Sequence, residues 1–341
     1  MNKQVKVTPE LKKYLAEGGS LGSLAKARKG KASSSVSPFP CNPRQVYVAQ
    51  VDALANRLRR IGVKDVTIGI SGGLDSTLCL LVACGAFSKL GYPFSGIHVY
   101  TMPGFGTTKR TKGNADLLCE GLGLNLKTVD ITKSCRQHLK DIGHDGKTPD
   151  VAFENAQARM RTMILMDSAN MTGGIVLGTG DMSEIALGWC TYNGDHMSMF
   201  GVNSGVPKTI VRKVCLWWAD EFGGQSADAI RDIAATPISP ELVKGQKTED
   251  KIGPYELHDF FIWNFVMNGM DGKALRSSAK KFFGKTFNAD TISRTLAIFQ
   301  SRLVSQAFKR NCAPDGIKVF PFDFSPSGWS IPSDLPRSIL A

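Results

Sequence analysis

Apolar positions along this chain change period several times, and the changes mark out its elements. From Gln45 to Ile61, the residues Val48, Val51, Leu54, Leu58 and Ile61 recur at steps of three or four, the spacing of one helix face. The run "VTIGI" (66–70) is apolar or β-branched apart from one glycine, as a buried strand is, and a helix from about Asp75 to Leu90 follows it. "GIHVYTM" (96–102) precedes a helix over Lys112–Leu122, and "LKTVDI" (126–131) precedes a long helix over Phe153–Met171. "GGIVLGTG" (173–180) reads as a fourth strand. Beyond Val206 the pattern turns helical, in "KTIVRKVCLWWADEF", "DAIRDIA", "ELHDFFIWNFVMNG" and "TISRTLAIFQSRLVSQAFKR". Strands alternating with helices predict an α/β fold, a parallel sheet covered on both faces, with a mostly helical C-terminal part. Ligands of such sheets bind beyond the C-terminal strand ends, which directs attention to the loops after 70, 102, 131 and 178.

The ends are different in character. Residues 1–44 hold a short helical candidate, Pro9 to Ala16, and then "GGSLGSLAKARKGKASSSVSPFP", rich in Gly, Ser and Lys and expected to be a flexible basic leader. The tail "PFDFSPSGWSIPSDLP" is expected to be irregular.

Composition narrows the class. With 42% hydrophobic and 21% charged residues, 341 residues suffice for a sizeable core. No apolar run approaches the ~18 residues of a membrane span, and the N-terminus lacks an apolar signal segment, so a cytoplasmic protein without membrane contact is the expectation. The net charge of +12 suggests nucleic acid, yet the leader alone holds nine Lys/Arg against Glu10 and Glu17. The body is only mildly basic, which suits a phosphate-rich small molecule, and no nucleic-acid partner is expected. Eight cysteines are scattered without a CxxC pair and read as reduced thiols in the core.

Candidate chemistry begins at "SGGLDS", where the first strand turns into a helix. Backbone amides and the positive helix end at such a turn bind phosphate. Gly72 and Gly73 admit close approach, while Ser71, Ser76 and Thr77 add hydroxyls. Asp75 would repel a bare anion, so its task is read as holding a divalent cation that bridges phosphate oxygens; the plain alternative is a tight turn with Asp75 as helix cap. Neither GxxxxGK[ST] nor a GxGxxG at a strand-to-helix turn is present, which excludes two other phosphate loops.

A second rich stretch runs from 173 to 214. Thr179, Asp181, Ser183 and Glu184 gather at a strand tip, with Glu184 available as a second carboxylate for the cation of Asp75. Trp189 and Tyr192 flank a loop and can stack on a planar ring, unless Trp189 is core. Lys208 begins a helix and is a phosphate ligand, or else a solvated surface charge.

"SGGLDS" resembles the loop of N-type ATP pyrophosphatases, a group that includes NAD, GMP and argininosuccinate synthetases and tRNA-modifying enzymes. Together with "MPGFGTTKRTKGNA", "FENAQARMRT", "GTGDMSEIALGWCTY", "GVNSGVPKTIV", "SPEL" and "SQAFKR", the chain from about 45 to 335 resembles the synthetase domain of NAD synthetases, especially the bacterial glutamine-dependent type. The resemblance implies a doubly wound parallel sheet of the adenine nucleotide alpha-hydrolase-like (PP-loop) type, with its core over 45–210 and a helical part over 211–335. It implies ATP-dependent amidation of deamido-NAD by ammonia through an acyl-adenylate, with release of AMP and pyrophosphate. By resemblance, Gly69, Ile70, Ser71, Gly72, Gly73, Leu74, Asp75, Ser76, Thr179 and Lys208 bind ATP. So does Ser239, which keeps the hydroxyl of a threonine found before "PEL" in some relatives. Asp75 and Glu184 take the Mg²⁺ positions and, with Lys208, carry the catalytic chemistry. Asn155, Arg159, Glu184, Trp189, Cys190, Thr191, Tyr192, Asp195 and Lys309 match positions that recognise deamido-NAD.

The glutamine-dependent enzymes also carry a nitrilase-type glutaminase domain, and only about 44 residues precede the synthetase region here, fewer than a folded domain needs. Free ammonia is therefore the expected donor; a separate glutaminase chain or a missing domain is the alternative. A homodimer is expected from the family, with "VCLWWADEF" and "FFIWNFVM" as interface or core. A tRNA-modifying enzyme and a non-catalytic nucleotide-binding protein are the competing readings.

Overall fold

The computed structural model describes residues 39, 41–107, 109–236, 242 and 248–312. The leader helix candidate, Ser239 and the Pro/Ser-rich tail lie outside the described residues. The chain divides into two compact units, one holding 41–251 with 305–312 and the other holding 252–304.

The first unit starts with helix α1, Pro43–Ile61. Asn42 caps it by accepting from the Gln45 amide at 3.2 Å, and Gly62, in the left-handed region, ends it. There follow strand β1 (Val66–Gly69), α2 (Leu74–Leu90), β2 (Ile97–Thr101), α3 (Lys109–Gly121), β3 (Leu126–Thr128), α4 (Thr132–Asp141), α5 (Val151–Thr172), β4 (Ile175–Gly178), α6 (Met182–Leu187), β5 (Phe200–Gly201), α7 (Lys208–Phe222) and α8 (Gly224–Ala235). All five strands are parallel, in the order β3-β2-β1-β4-β5.

That order contains the decisive feature. From β1 the chain winds outward through β2 and β3, with α1, α2, α3, α7 and α8 packing together as one layer. It then returns through α4 and α5, which pack on each other, to lay β4 on the other side of β1. Direction reverses between β1 and β4, and the loops at their C-terminal ends diverge there to leave a crevice. Both flanks of β1 are buried, with Val66, Thr67 and Ile68 at 0% exposure, which is why the strand reads as continuous hydrophobicity. α2 is apolar around most of its circumference for the same reason: Leu78, Leu80, Leu81, Val82 and Phe87 are all fully buried.

Several of the described elements escape the hydrophobic pattern. α4 buries only Cys135 and Leu139 and is otherwise polar or charged. α6 is six residues long, and β5 only two. Gly272–Phe283 likewise folds as a helix in the second unit although its stripe is short, with Leu275 and Ala279 buried. The third strand is shorter than the apolar run implies, because Val129 and Ile131 bond instead to the carbonyls of Thr101 and Pro103 as the chain leaves the sheet.

The short helix α9 (Thr248–Ile252) leads into the second unit, built from α10 (Tyr255–Asn268), α11 (Gly272–Phe283) and α12 (Ala289–Ser305). Its core is a cluster of rings: Phe261 and Phe299 lie 5.7 Å apart, and Phe260 meets Phe283 edge-on at 5.4 Å. The helices proposed as interface material are mostly buried; Phe222, Val266 and Met267 are their exposed apolar residues.

Candidate active site

The turn after β1 is held by its own hydroxyls. Gly72 takes φ 81°, a conformation that costs a side-chain-bearing residue strain, and so reverses the chain within two residues. Ser71 Oγ accepts from the Gly73 amide at 3.2 Å, and Ser76 Oγ and Thr77 Oγ1 donate to the Gly73 carbonyl at 3.1 and 2.8 Å. Gly73, not Asp75, occupies the cap position of α2, and it does so without a side-chain bond. The simple capping role for Asp75 is therefore excluded. Asp75 is the second residue of the helix, and its carboxylate faces a partner 133 residues away.

That partner is Lys208, the first residue of α7, whose side chain is 3% exposed. Its Nζ lies 2.5 Å from Asp75 Oδ2, 2.7 Å from Asp181 Oδ2 and 2.8 Å from Glu184 Oε1. Lys208 is thus neither solvated nor pointed at open solvent. Its backbone is fixed too, because its amide donates to Ser183 Oγ at 2.9 Å. Asp181 and Glu184 close the reciprocal cap of α6: Asp181 Oδ1 accepts from the Glu184 amide at 2.9 Å, and the Asp181 amide donates to Glu184 Oε2 at 3.4 Å. Carboxylates at the starts of α2 and α6 lie where the helix ends favour negative charge.

One ammonium among three carboxylates leaves two negative charges in a largely buried site. Burial pushes the Asp75 carboxyl up to about 7, against the pull of Lys208 and with the added repulsion of Asp181. Burial and the neighbouring Asp181 and Asp75 likewise push Glu184 well above the ordinary carboxylate range, again opposed by Lys208. Carboxylate oxygens of Asp75, Asp181 and Glu184 lie within 4.8 Å of one another, and Asp75 Oδ1 is buried without a hydrogen-bond partner among the described residues. An all-oxygen donor set with unneutralised negative charge fits a hard divalent cation such as Mg²⁺.

Asn203 joins the two turns, and the sequence reading passed over it. Its fully buried amide donates to the carbonyls of both Asp75 and Thr179, at 2.8 and 2.9 Å, and its Oδ1 accepts from Gln50 at 3.0 Å. Only its lack of a local role in "GVNSGVPKT" could have signalled it, and many loop asparagines share that lack.

The other residues implied by the resemblance gather around the loop after α6. Asn155 Oδ1 accepts from Thr191 Oγ1 at 2.9 Å, and Arg159, one turn further along α5, donates to the Tyr192 carbonyl through Nε and Nη2 at 3.3 and 3.2 Å. Asp195 Oδ1 accepts from the Thr191 amide at 2.7 Å, and Lys309 Nζ reaches the Cys190 carbonyl at 2.8 Å. Trp189 is half-buried. Tyr192 stacks on His196 with centroids 5.9 Å apart and meets Phe308 edge-on at 5.2 Å. α6 links this loop to the carboxylates, since Trp189 follows its C-terminal glycine. Five of the eight cysteines are buried, and burial raises the thiols of Cys84 and Cys119 to about 12, which suits packing more than nucleophilic work.

Comparison with known proteins identifies the family of the chain. The family profile described as NAD synthase matches residues 46–294. The glutamine-dependent NAD(+) synthetase of Mycobacterium tuberculosis is 39% identical over 341 residues, covering 89% of this chain and 50% of that protein. The Thermotoga maritima enzyme of the same description is 29% identical, again over 89% and 50%. The chain thus spans about half the length of the curated relatives it matches. Among solved structures, the NMN synthetase of Francisella tularensis superposes with a TM-score of 0.59 at 22% identity, over 79% of this chain and 97% of that one. The NH3-dependent NAD synthetase of Campylobacter jejuni gives 0.56 at 19%, over 82% and 100%, so the fold is shared at low identity. A doubly wound sheet with its charged cluster at the β1/β4 reversal, and a family profile spanning most of the chain, together show that this protein belongs to the NAD synthase family.

Proposed function

We propose that the chain amidates deamido-NAD to NAD at the expense of ATP, with the crevice between the turns after β1 and β4 as the reaction centre. The observation that carries the reading is the convergence of Asp75, Asp181, Glu184 and Lys208 beside the glycine turn at the start of α2. Gly69–Ser76 and Thr179 then hold ATP, as would Ser239. The Gly72 amide and the open start of α2 would face the phosphates, and Ser71 and Ser76 add hydroxyls. Asp75 and Glu184 would hold Mg²⁺, which supplies charge neutralisation for the pyrophosphate as it departs.

The loop 189–192 with Asn155, Arg159, Asp195 and Lys309 receives the dinucleotide. Arg159 and Lys309 keep the carbonyls of Tyr192 and Cys190 in place, so the loop presents a preset surface with Tyr192 as its planar face. The nicotinate carboxylate attacks the α-phosphorus of ATP and pyrophosphate leaves. Ammonia then attacks the acyl carbon, AMP departs, and a proton passes to solvent. The chain's own contribution is positioning and charge stabilisation, with Lys208 available to the developing negative charge and no protein nucleophile needed.

Free ammonia is taken as the amine donor, supported by the likeness over its full length to a neighbour described as NH3-dependent. A separate glutaminase delivering ammonia to the same acyl-adenylate is the alternative. A homodimer is proposed as well, on the exposed Met163, Met171 and Phe222 side chains, and light scattering tests it. Conversion of deamido-NAD, ATP and ammonium to NAD, AMP and pyrophosphate is the deciding assay. Turnover of nicotinate mononucleotide but not the dinucleotide would reassign the substrate, and turnover with glutamine alone would overturn the donor.

A further inference from the structure

The three carboxylates around Lys208 are not equivalent. The side chains of Asp75 and Glu184 keep 21% and 23% exposure, whereas Asp181 has none. Two of them therefore stand at the mouth of the site and the third lies beneath the ammonium. Asp181 also divides its work between its oxygens: Oδ1 caps α6 at the Glu184 amide, and Oδ2 faces Lys208 Nζ at 2.7 Å. A cation entering from solvent meets Asp75 and Glu184, both already shared with the ammonium. Were these the lysine's only counter-ions, a divalent cation would have to strip them from a buried positive charge and then sit beside it unshielded. With Asp181 in place the formal charges of three carboxylates, one ammonium and one divalent cation sum to zero.

We propose that Asp181 is a positioning residue, the standing counter-ion of Lys208, which anchors the ammonium at the floor of the site so that Asp75 and Glu184 are released to a divalent cation. The inference rests on the reading of the site given under the proposed function. It differs from a purely structural role, because helix capping uses only Oδ1.

Asp181→Asn separates the two jobs. An asparagine carbonyl caps a helix as well as a carboxylate does, but the amide nitrogen it turns toward Lys208 carries no negative charge to pair with the ammonium. Mn²⁺ alone, titrated into the full chain without nucleotide and followed by electron paramagnetic resonance, is the probe. The expected result is binding weaker by about tenfold or more in Asp181→Asn, the loss typical of removing a supporting group behind metal ligands. Binding within about twofold of wild type, whether or not the thermal midpoint falls, would reduce Asp181 to a cap and overturn the proposal. A wild-type chain that binds no Mn²⁺ at millimolar concentration overturns it as well.

Should the variant fail to fold, acetic anhydride labelling of the wild-type chain decides. Lys208 is expected to stay protected with and without Mn²⁺, and labelling that rises when Mn²⁺ is added would show the lysine expelled. Absence of NAD formation by the wild-type chain, alongside a weakened Mn²⁺ titration in Asp181→Asn, would sink the functional reading and leave this one standing.

Discussion

Two regions of this protein bury ionisable side chains, and they do so in opposite ways. At the β1/β4 crevice, Lys208 and Asp181 are almost fully enclosed and charged groups are stacked against one another. In the helical unit, His258 is enclosed among rings, with Tyr255 and Phe299 at centroid distances of 6.3 and 6.5 Å, and has no carboxylate partner among its described contacts. The first arrangement gathers charge at helix starts, where backbone dipoles and opposite charges support it. At His258 charge is suppressed instead: burial lowers the imidazole to about 4, and its Nε2 meets the Ile252 carbonyl at 2.8 Å. Burial alone therefore does not mark a functional site. What distinguishes the crevice is negative charge left unneutralised.

The largest break in the comparison is Asp75→Ala. Steady-state turnover is expected to fall by at least about 10²–10³-fold, the scale of removing one charge-stabilising group. The thermal midpoint at pH 8 without divalent cation should hold or rise, because a carboxyl raised to about 7 opposes folding once ionised. Turnover near wild type would remove Asp75 from the reaction centre.

Next is the pH response of the two regions, which carry opposite signs. His258 binds its proton more weakly folded than unfolded, so its contribution weakens as pH falls from about 6.5 to about 4, by up to about 3 kcal/mol. Asp75 binds its proton more tightly folded, so its contribution weakens as pH rises from about 4 to about 7. Denaturant titrations across this range should show His258→Leu losing the acid-side decline while Asp75→Ala loses the other. A His258→Leu curve as steep as wild type between pH 6.5 and 4 would show that this histidine is not held neutral.

Asn203→Ala is smaller. It leaves the carbonyls of Asp75 and Thr179 without their shared donor, and about 1–3 kcal/mol of stability should be lost. Hydrogen exchange should quicken at both turns together; quickening at one alone would mean Asn203 does not couple them. Gly72→Ala comes last, at about 1–2 kcal/mol for a side chain forced to positive φ, visible as a lowered thermal midpoint.

Legibility followed range of interaction. β1, α2, β2, β4 and α7 were readable because each buries a long apolar face, and burial imposes period on sequence. α4 and α6 were not, since one buries two residues and the other owes its existence to the Asp181–Glu184 cap. The turn after β1 was legible as a tight, hydroxyl-lined glycine turn because its hydroxyls bond within six residues of one another. Asp181 was noticed at the strand tip but not as a partner of Lys208, and Asn203 not at all. Each acts on groups more than twenty residues away, and no local spacing records such a meeting.

The sequence by itself determined the strand-helix alternation, the glycine turn and the pairing of Asp75 with Glu184 as carboxylates, because these rest on local backbone chemistry and on motif order along the chain. Only the tertiary structure decided that Lys208 lies among three carboxylates, that Asp181 is the innermost of them, and that His258 is buried without charge. Those outcomes depend on where the sheet reverses direction and on which side chains it leaves without water, and neither is a property of any short stretch of chain.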